Sequence, residues 1–303
     1  MTVAIVGPTC SGKTNLALQI CDILSNKVEI ISADSRKIYK FMDAGTAKPS
    51  KEIREKYTFH LIDIITPAER FSAKRFELEA SRIIDENRKN NKISLVVGGS
   101  WLYIRALEYG LFDEPENRAI RDGIEEELEK FGTKYLWEKL NRYDQKTAQK
   151  IHPNDTYRIV RAIEVFEKTG KSIFDFFNKE KKGRDILKIG ILMEPSDAKM
   201  KITERTKKMA ASGLIEETEF LISKYGENIS SLNTIGYREA ALFLKGLINK
   251  IELEEEIIKR TLKYYKYQKK VFSRENTIWF SKNKIRDAKN TILKRFVKNI
   301  ILV

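Results

Sequence analysis

The chain has 303 residues, 42% of them apolar, with 15 Phe and 12 Tyr, which is enough to bury a substantial core and too apolar for a disordered tail. Lys and Arg total 57 against 43 Asp and Glu, a net charge of +14; that balance attracts polyanions, nucleic acid first among them, and equally marks a Lys-rich proteome. The two cysteines make neither a disulfide framework nor a zinc pattern, and no apolar run approaches the roughly 20 residues that span a bilayer.

The chain opens on an apolar run, Val3–Val6, which predicts a core strand and no secretory leader. Directly after it stand Gly7, Pro8, Thr9, Cys10, Ser11, Gly12, Lys13 and Thr14, a complete G-x-x-x-x-G-K-[ST] phosphate-binding loop. Leu16, Ala17, Ile20 and Leu24 then recur at helical spacing and predict a helix over Lys13–Leu24. The two glycines let backbone N–H groups turn toward phosphate oxygens, and the helix N-terminus adds a positive field. Lys13 reaches the outer phosphate, and the Thr14 hydroxyl is placed to ligate Mg²⁺. The loop specifies a di- or triphosphate; neither ATP nor phosphoryl transfer follows from it.

Further strands are predicted at Glu29–Ser32, Leu61–Ile64, Ser94–Val97, Ile189–Met193 and Thr277–Phe280. Helices are predicted at Ala73–Asn90 and Trp101–Glu108. The alternation indicates an α/β fold, a P-loop NTPase-like core with a largely parallel sheet. Between about 115 and 184 no strand appears, and charged helical segments run Arg121–Lys130, Tyr135–Asn141 and Asp155–Thr169. The chain therefore divides into a core of residues 1–115 and 185–303 with C-terminal helices, and an all-helical insertion of residues 116–184. Helices in the last third are predicted at Lys199–Ser212, Ile215–Tyr225, Tyr237–Leu244 and Glu252–Arg274.

In open α/β sheets ligands lie beyond the carboxyl ends of the strands, so the loops there converge on one cleft. Asp34 follows one such strand and suits a general base, a water-mediated Mg²⁺ ligand or a turn cap. Gly98, Gly99 and Ser100 end another, where a nucleotide hydrolase carries a magnesium-binding Asp. The Ser100 hydroxyl either donates to a phosphate oxygen or caps the next helix. Arg158 and Arg161 share a helix face, as a solvated surface or a nucleic-acid contact. From Lys259 to Arg274 the last predicted helix carries seven basic residues and no acidic ones, interleaved with Tyr264, Tyr265, Tyr267 and Phe272. That pattern suits unpaired nucleic acid or a partly buried helix with lysines facing water. His60 and His152 lack ligand spacing, and structural roles are expected for them.

Together these segments resemble the bacterial tRNA dimethylallyltransferase (tRNA isopentenyltransferase) family. The matching stretches are residues 7–14, Ala33–Tyr39, Met42–Pro49, His60–Asp63, Val97–Tyr103, Ile151–Asp155 with Arg158 and Arg161, Ala211–Leu214 and Ile235–Glu239. They run in order along nearly the whole chain. The resemblance implies transfer of a five-carbon group from dimethylallyl diphosphate to N6 of adenosine 37 in a tRNA anticodon stem-loop, with Mg²⁺ assisting. It implies that the base is flipped out of the loop to react. It makes Asp34 the general base and has Ser100 and Arg121 orient diphosphate and reactants. Residues 7–14 then hold the diphosphate, with Thr14 at the metal. It implies tRNA contacts at Asp34, Ser35, Arg36, Lys37, Thr46, Lys48, Tyr157, Arg158, Ile159, Val160, Arg161, Lys266 and Gln268. Ser100 stands where relatives commonly carry Thr, Lys37 where Gln is frequent, and Leu262, Tyr267 and Ser273 where arginines are common. A monomeric, cytoplasmic enzyme with no membrane partner is expected. An adenylate isopentenyltransferase, a P-loop kinase of a small metabolite and an RNA-binding protein without turnover are the alternatives.

Overall fold

The computed structural model describes residues 2–111, 117–176 and 183–301, which fall into two compact units, residues 1–108 with 183–303 and residues 109–182.

The first unit is built on six strands: β1 (Thr2–Val6), β2 (Val28–Ser32), β3 (Phe59–His60), β4 (Ile93–Gly98), β5 (Ile186–Leu192) and β6 (Ile278–Ser281). They lie in the order β3-β2-β4-β1-β5-β6, and every pair is parallel. Strands of a parallel sheet covered on both faces carry apolar residues on both faces, and all five residues of β1 are buried. Val3 and Ile5 pack with Leu16, Ile20 and Ile292, while Ala4 and Val6 meet Phe76, Ile83 and Tyr103. The covering helices on the first face are α1 (Lys13–Leu24) and, at the end of the chain, Ile285–Ile301. The opposite face is covered by two helices, Ala73–Lys89 and Trp101–Tyr109, and by Phe272. A third apolar cluster joins Ile38 and Met42 to helices Leu214–Tyr225, Tyr237–Leu244 and Lys250–Phe272.

Two expectations change. The strand expected at Leu61–Ile64 lies two residues earlier, at Phe59–His60, because Leu61 and Asp63 take φ of 60° and 56°, values that turn the chain out of a ladder. The helix Ile285–Ile301 was not anticipated, although Ala288, Ile292 and Phe296 bury at helical spacing against the sheet. His60 has a structural role: its Nε2 lies 2.6 Å from Glu29 Oε2 on the neighbouring strand.

The second unit is helical, formed by Arg118–Tyr143, Gln145–Ala148 and Thr156–Thr169 around Ile124, Leu136, Leu140, Ile159 and Ile163. The first of these helices breaks at Gly132 (φ 80°), between the two segments read from the sequence. The expected boundary at 115/116 lies outside the described residues. The first unit holds the chain as far as Glu108 because Leu107 is buried in its core and Glu108 receives the Lys188 ammonium at 2.5 Å. The returning strand is fastened by Arg184, which reaches Ser81 Oγ at 3.1 Å and Asp85 Oδ2 at 2.5 Å. Its backbone N–H also donates to the Leu107 carbonyl, at 3.4 Å. Among the described residues no helix is long and apolar enough to cross a membrane.

Candidate active site

β1 delivers the chain into the phosphate loop at the centre of the sheet, and Gly12, at φ 92°, caps α1. The loop opens on a cavity of about 520 Å³ lined by Thr9 to Thr14, Asp34 to Lys37, Thr46 and Gly98 to Ser100. Most of the loop expected to bind diphosphate thus shares one cavity with Asp34 and Ser100. Lys13 Nζ donates to the Pro8 carbonyl at 2.6 Å, which keeps the ammonium at the loop. Burial pushes its pKa down to about 7; the positive charge of Lys37 adds to the shift, and Asp34 works against it. Burial also lowers Lys37, whose nearest compensation is again Asp34. The Ser11 hydroxyl is fully buried and finds no hydrogen-bond partner among the described residues. A buried polar group left unpaired is costly, and an anion held by this loop is a fitting partner.

Asp34 leaves β2 into a turn that its own side chain stabilises: Oδ1 accepts from Arg36 N at 2.9 Å and Lys37 N at 3.4 Å. Turn cap and cavity carboxylate are therefore one residue in two roles. Ser100 ties the neighbouring loop to this turn. Its Oγ accepts from Ser35 N at 3.0 Å, and its N–H donates to Ala33 O at 3.2 Å. The glycine pair before it reflects close approach: a Cβ on Gly98 would overlap the Ala33 carbonyl, and one on Gly99 would overlap the Gln268 amide.

Several residues expected at a tRNA surface have other work. Lys48, with 1% of its side chain exposed, pairs with Asp43 at 2.8 Å and with Asp63, and donates to Tyr39 O at 2.5 Å; its charge is spent on holding its own loop. Gln268 is 3% exposed, and its amide is divided between Thr9 N and Gly99 O, each at 2.9 Å. Ile159 and Val160 are 0% and 3% exposed and form the insertion core, so their side chains do not reach an outside partner. Thr46 lines the cavity, but its hydroxyl donates to Met42 O at 2.6 Å. Lys266 is exposed.

Arg121, Tyr157, Arg158 and Arg161 all lie in the second unit. Buried Glu164 organises three of its neighbours: Arg161 at 3.0 Å, Arg121 at 3.7 Å and the Asn117 N–H at 2.7 Å. Arg121 also pairs with Glu125 at 2.8 Å, and its guanidinium lies 5.8 Å from the Tyr157 ring centre. Tyr157 itself is 64% exposed. Arg158 pairs with Asp155, the N-cap of its helix, at 3.0 Å.

The basic helix Lys250–Phe272 is partly buried, with its lysines facing water. Tyr265, Gln268 and Phe272 are buried, while Lys263, Lys266, Lys269 and Lys270 face solvent. Tyr264 and Tyr267 stack with ring centres 6.3 Å apart, and Tyr264 lines the cavity. Arg205 was missed by sequence reasoning. Its Nη1 donates to Thr9 Oγ1 at 2.7 Å from helix Pro195–Ala211, and it lines the cavity with Asn233 and Thr234. No local motif marks it, because its partner lies 196 residues away. No group of three or more His, Cys, Asp or Glu among the described residues could hold a metal ion.

A parallel sheet whose central strand runs into a phosphate loop defines an α/β P-loop protein. The IPP transferase family model matches residues 37–275, and the chain belongs to that family. It is 38% identical over 288 residues to tRNA dimethylallyltransferase 2 of Geotalea uraniireducens, covering 93% of this chain and 89% of the relative. It is 36% identical over 307 residues to the tRNA dimethylallyltransferase of Thermotoga neapolitana, covering 99% of both. Among solved structures, the full-length tRNA isopentenylpyrophosphate transferase of Bacillus halodurans superposes with a TM-score of 0.72 at 31% identity, over 99% of this chain and 98% of that one. A eukaryotic dimethylallyltransferase acting on tRNA gives 0.78 at 26% identity, over 93% of this chain and 73% of that one.

Proposed function

We infer that this protein is a tRNA prenyltransferase that moves the dimethylallyl group of dimethylallyl diphosphate to N6 of adenosine 37 in the anticodon stem-loop. The observation that carries this reading is that Asp34 lines the same cavity as the phosphate loop, so a base and a leaving-group cradle share one site. In the reaction the carbon–oxygen bond to diphosphate breaks and a carbon–nitrogen bond to N6 forms. Asp34 takes the N6 proton, and the electron pair of the broken bond leaves with diphosphate. The loop N–H groups, Lys13 and Arg205 stabilise the charge that grows on the leaving oxygen. Ser100, bonded to Ser35, holds the Asp34 turn against the diphosphate end of the cavity. Tyr157, Arg158 and Arg161 of the second unit would meet the RNA.

The donor set fits Mg²⁺. No carboxylate cage stands among the described residues; the Thr14 hydroxyl and the diphosphate oxygens would be hard oxygen ligands of the kind Mg²⁺ takes at phosphate sites. When bound, the ion would neutralise part of the charge of the departing diphosphate. We read the enzyme as a cytoplasmic monomer, which sedimentation of the purified protein would check.

The test is to incubate the protein with unmodified tRNA, labelled dimethylallyl diphosphate and Mg²⁺. Label is expected at adenosine 37. No label under conditions where an established family member works overturns the reading. Parallel arms with free adenylate as acceptor, and with ATP plus small metabolites, distinguish the two enzymatic alternatives.

A further inference from the structure

Gln268 lies near the C-terminal end of the long basic helix, buried against the phosphate loop in the wall of the cavity. Its Oε1 accepts the Thr9 N–H of the phosphate loop at 2.9 Å, and its Nε2 donates to the Gly99 carbonyl at 2.9 Å. Both bonds are made by a side chain that is 3% exposed. Gly99 has no room for a Cβ because the same amide nitrogen occupies that space. The next residue, Ser100, is bonded to Ala33 and Ser35 on either side of Asp34. A continuous path of hydrogen bonds and backbone therefore runs from Thr9 through Gln268, Gly99 and Ser100 to the Asp34 turn.

We propose that Gln268 is a positioning residue that fixes the distance between the phosphate loop and the Asp34 turn. Resting on the prenyl-transfer reading above, this makes Gln268 the residue in the cavity wall that sets the general base against the leaving group. An amide suits the task because one end accepts and the other donates. A carboxylate can accept from Thr9 but cannot donate to Gly99, and it would face the Gly99 carbonyl oxygen. A buried, protonated carboxyl can do both, and burial favours protonation. The reacting atoms need near-attack spacing, so loosening this bracket should lower turnover more than donor binding.

The experiment measures kcat and the donor KM of wild type, Gln268→Glu, Gln268→Met and Gly99→Ala from pH 6 to 9, with the folded fraction of each at assay temperature. Gln268→Glu is expected to lose about tenfold or more in kcat at pH 8.5, with donor KM within about threefold. Its kcat relative to wild type should recover toward pH 6 as the carboxyl takes up its proton, and Gln268→Met should show no such recovery. Gly99→Ala, whose methyl would displace the flexible amide and also press lightly on the Gly7 carbonyl, should reproduce the kcat loss, and combining it with Gln268→Glu should add little. A wild-type kcat for both Gln268→Glu and Gly99→Ala overturns the proposal. So does a loss carried by KM, a loss that follows the folded fraction, or a deficit independent of pH in Gln268→Glu. An inactive wild type defeats the prenyl-transfer reading instead; an active wild type with unaffected variants defeats only this inference.

Discussion

The Ser100 hydroxyl accepts the Ser35 N–H at 3.0 Å, so the residue two beyond the end of β4 braces the turn that carries Asp34. In Ser100→Ala the part-buried Ser35 N–H loses that acceptor, and a typical hydrogen bond contributes about 0.5–1.5 kcal/mol. Turnover should fall about tenfold or more, whereas Ser100→Thr, which keeps the hydroxyl, should stay within about threefold of wild type. Steady-state prenylation of tRNA by the three proteins checks this, and equal rates for Ala and Thr would refute the bracing role.

Asp34→Asn isolates the proton-accepting role. The amide oxygen can still accept from Arg36 N, the 2.9 Å bond that shapes the turn, while its basicity is gone. Turnover should drop by about 10²–10⁴, the usual worth of a general base, with tRNA affinity within about threefold of wild type. A filter-binding titration alongside the rate assay decides it: if affinity and turnover fall together, Asp34 is a tRNA contact and not the base.

The pH dependence of donor binding follows from Lys13. In the free protein burial and the Lys37 charge hold its pKa at about 7, and an anion in the loop raises it. Binding therefore takes up a proton above pH 7. Donor affinity should be level below about pH 7 and weaken as pH rises, by up to about tenfold per unit, until the pKa of the bound state is reached. Calorimetry of diphosphate binding at pH 8 in two buffers of different ionisation enthalpy should reveal the uptake. No proton exchange would mean that Lys13 stays charged in the free loop.

Lys188 occupies a core strand with 0% of its side chain exposed, paired with Glu108 at 2.5 Å and Glu275 at 3.1 Å. Burial acts to lower its pKa, but the two carboxylates outweigh it and leave it raised. Lys188→Met would remove the ammonium that both acids share, leaving Glu275 with Trp101 Nε1 at 2.9 Å and Arg105 at 3.6 Å, and breaking a buried pair costs about 3–5 kcal/mol. Urea denaturation should show a lower midpoint of that order; an unchanged midpoint would mean that both acids protonate at little cost.

Much of the cavity was legible because its parts are contiguous in the chain. Residues 7–14 and the Asp34 turn announce themselves by local spacing, and an alternating pattern of apolar runs is enough to predict a parallel sheet. Sequence could not show which polar side chains are already occupied. Lys48 and Gln268 have the chemistry of RNA-binding residues, yet one is consumed by Asp43 and Asp63 and the other by backbone groups of two loops. Arg205 presented the converse difficulty, since only the fold brings it to Thr9. Ile159 and Val160 stand beside arginines in the chain, but the helical period turns them into the core.

The Arg184 N–H meets the Leu107 carbonyl at 3.4 Å, so the two points where the chain leaves and rejoins the sheet unit are neighbours. Residues 109–182 are thus an excursion whose removal would leave only a short gap in the sheet unit. A short Gly–Ser bridge between 108 and 183 should therefore leave the sheet unit folded, which a cooperative urea transition of the bridged protein would show.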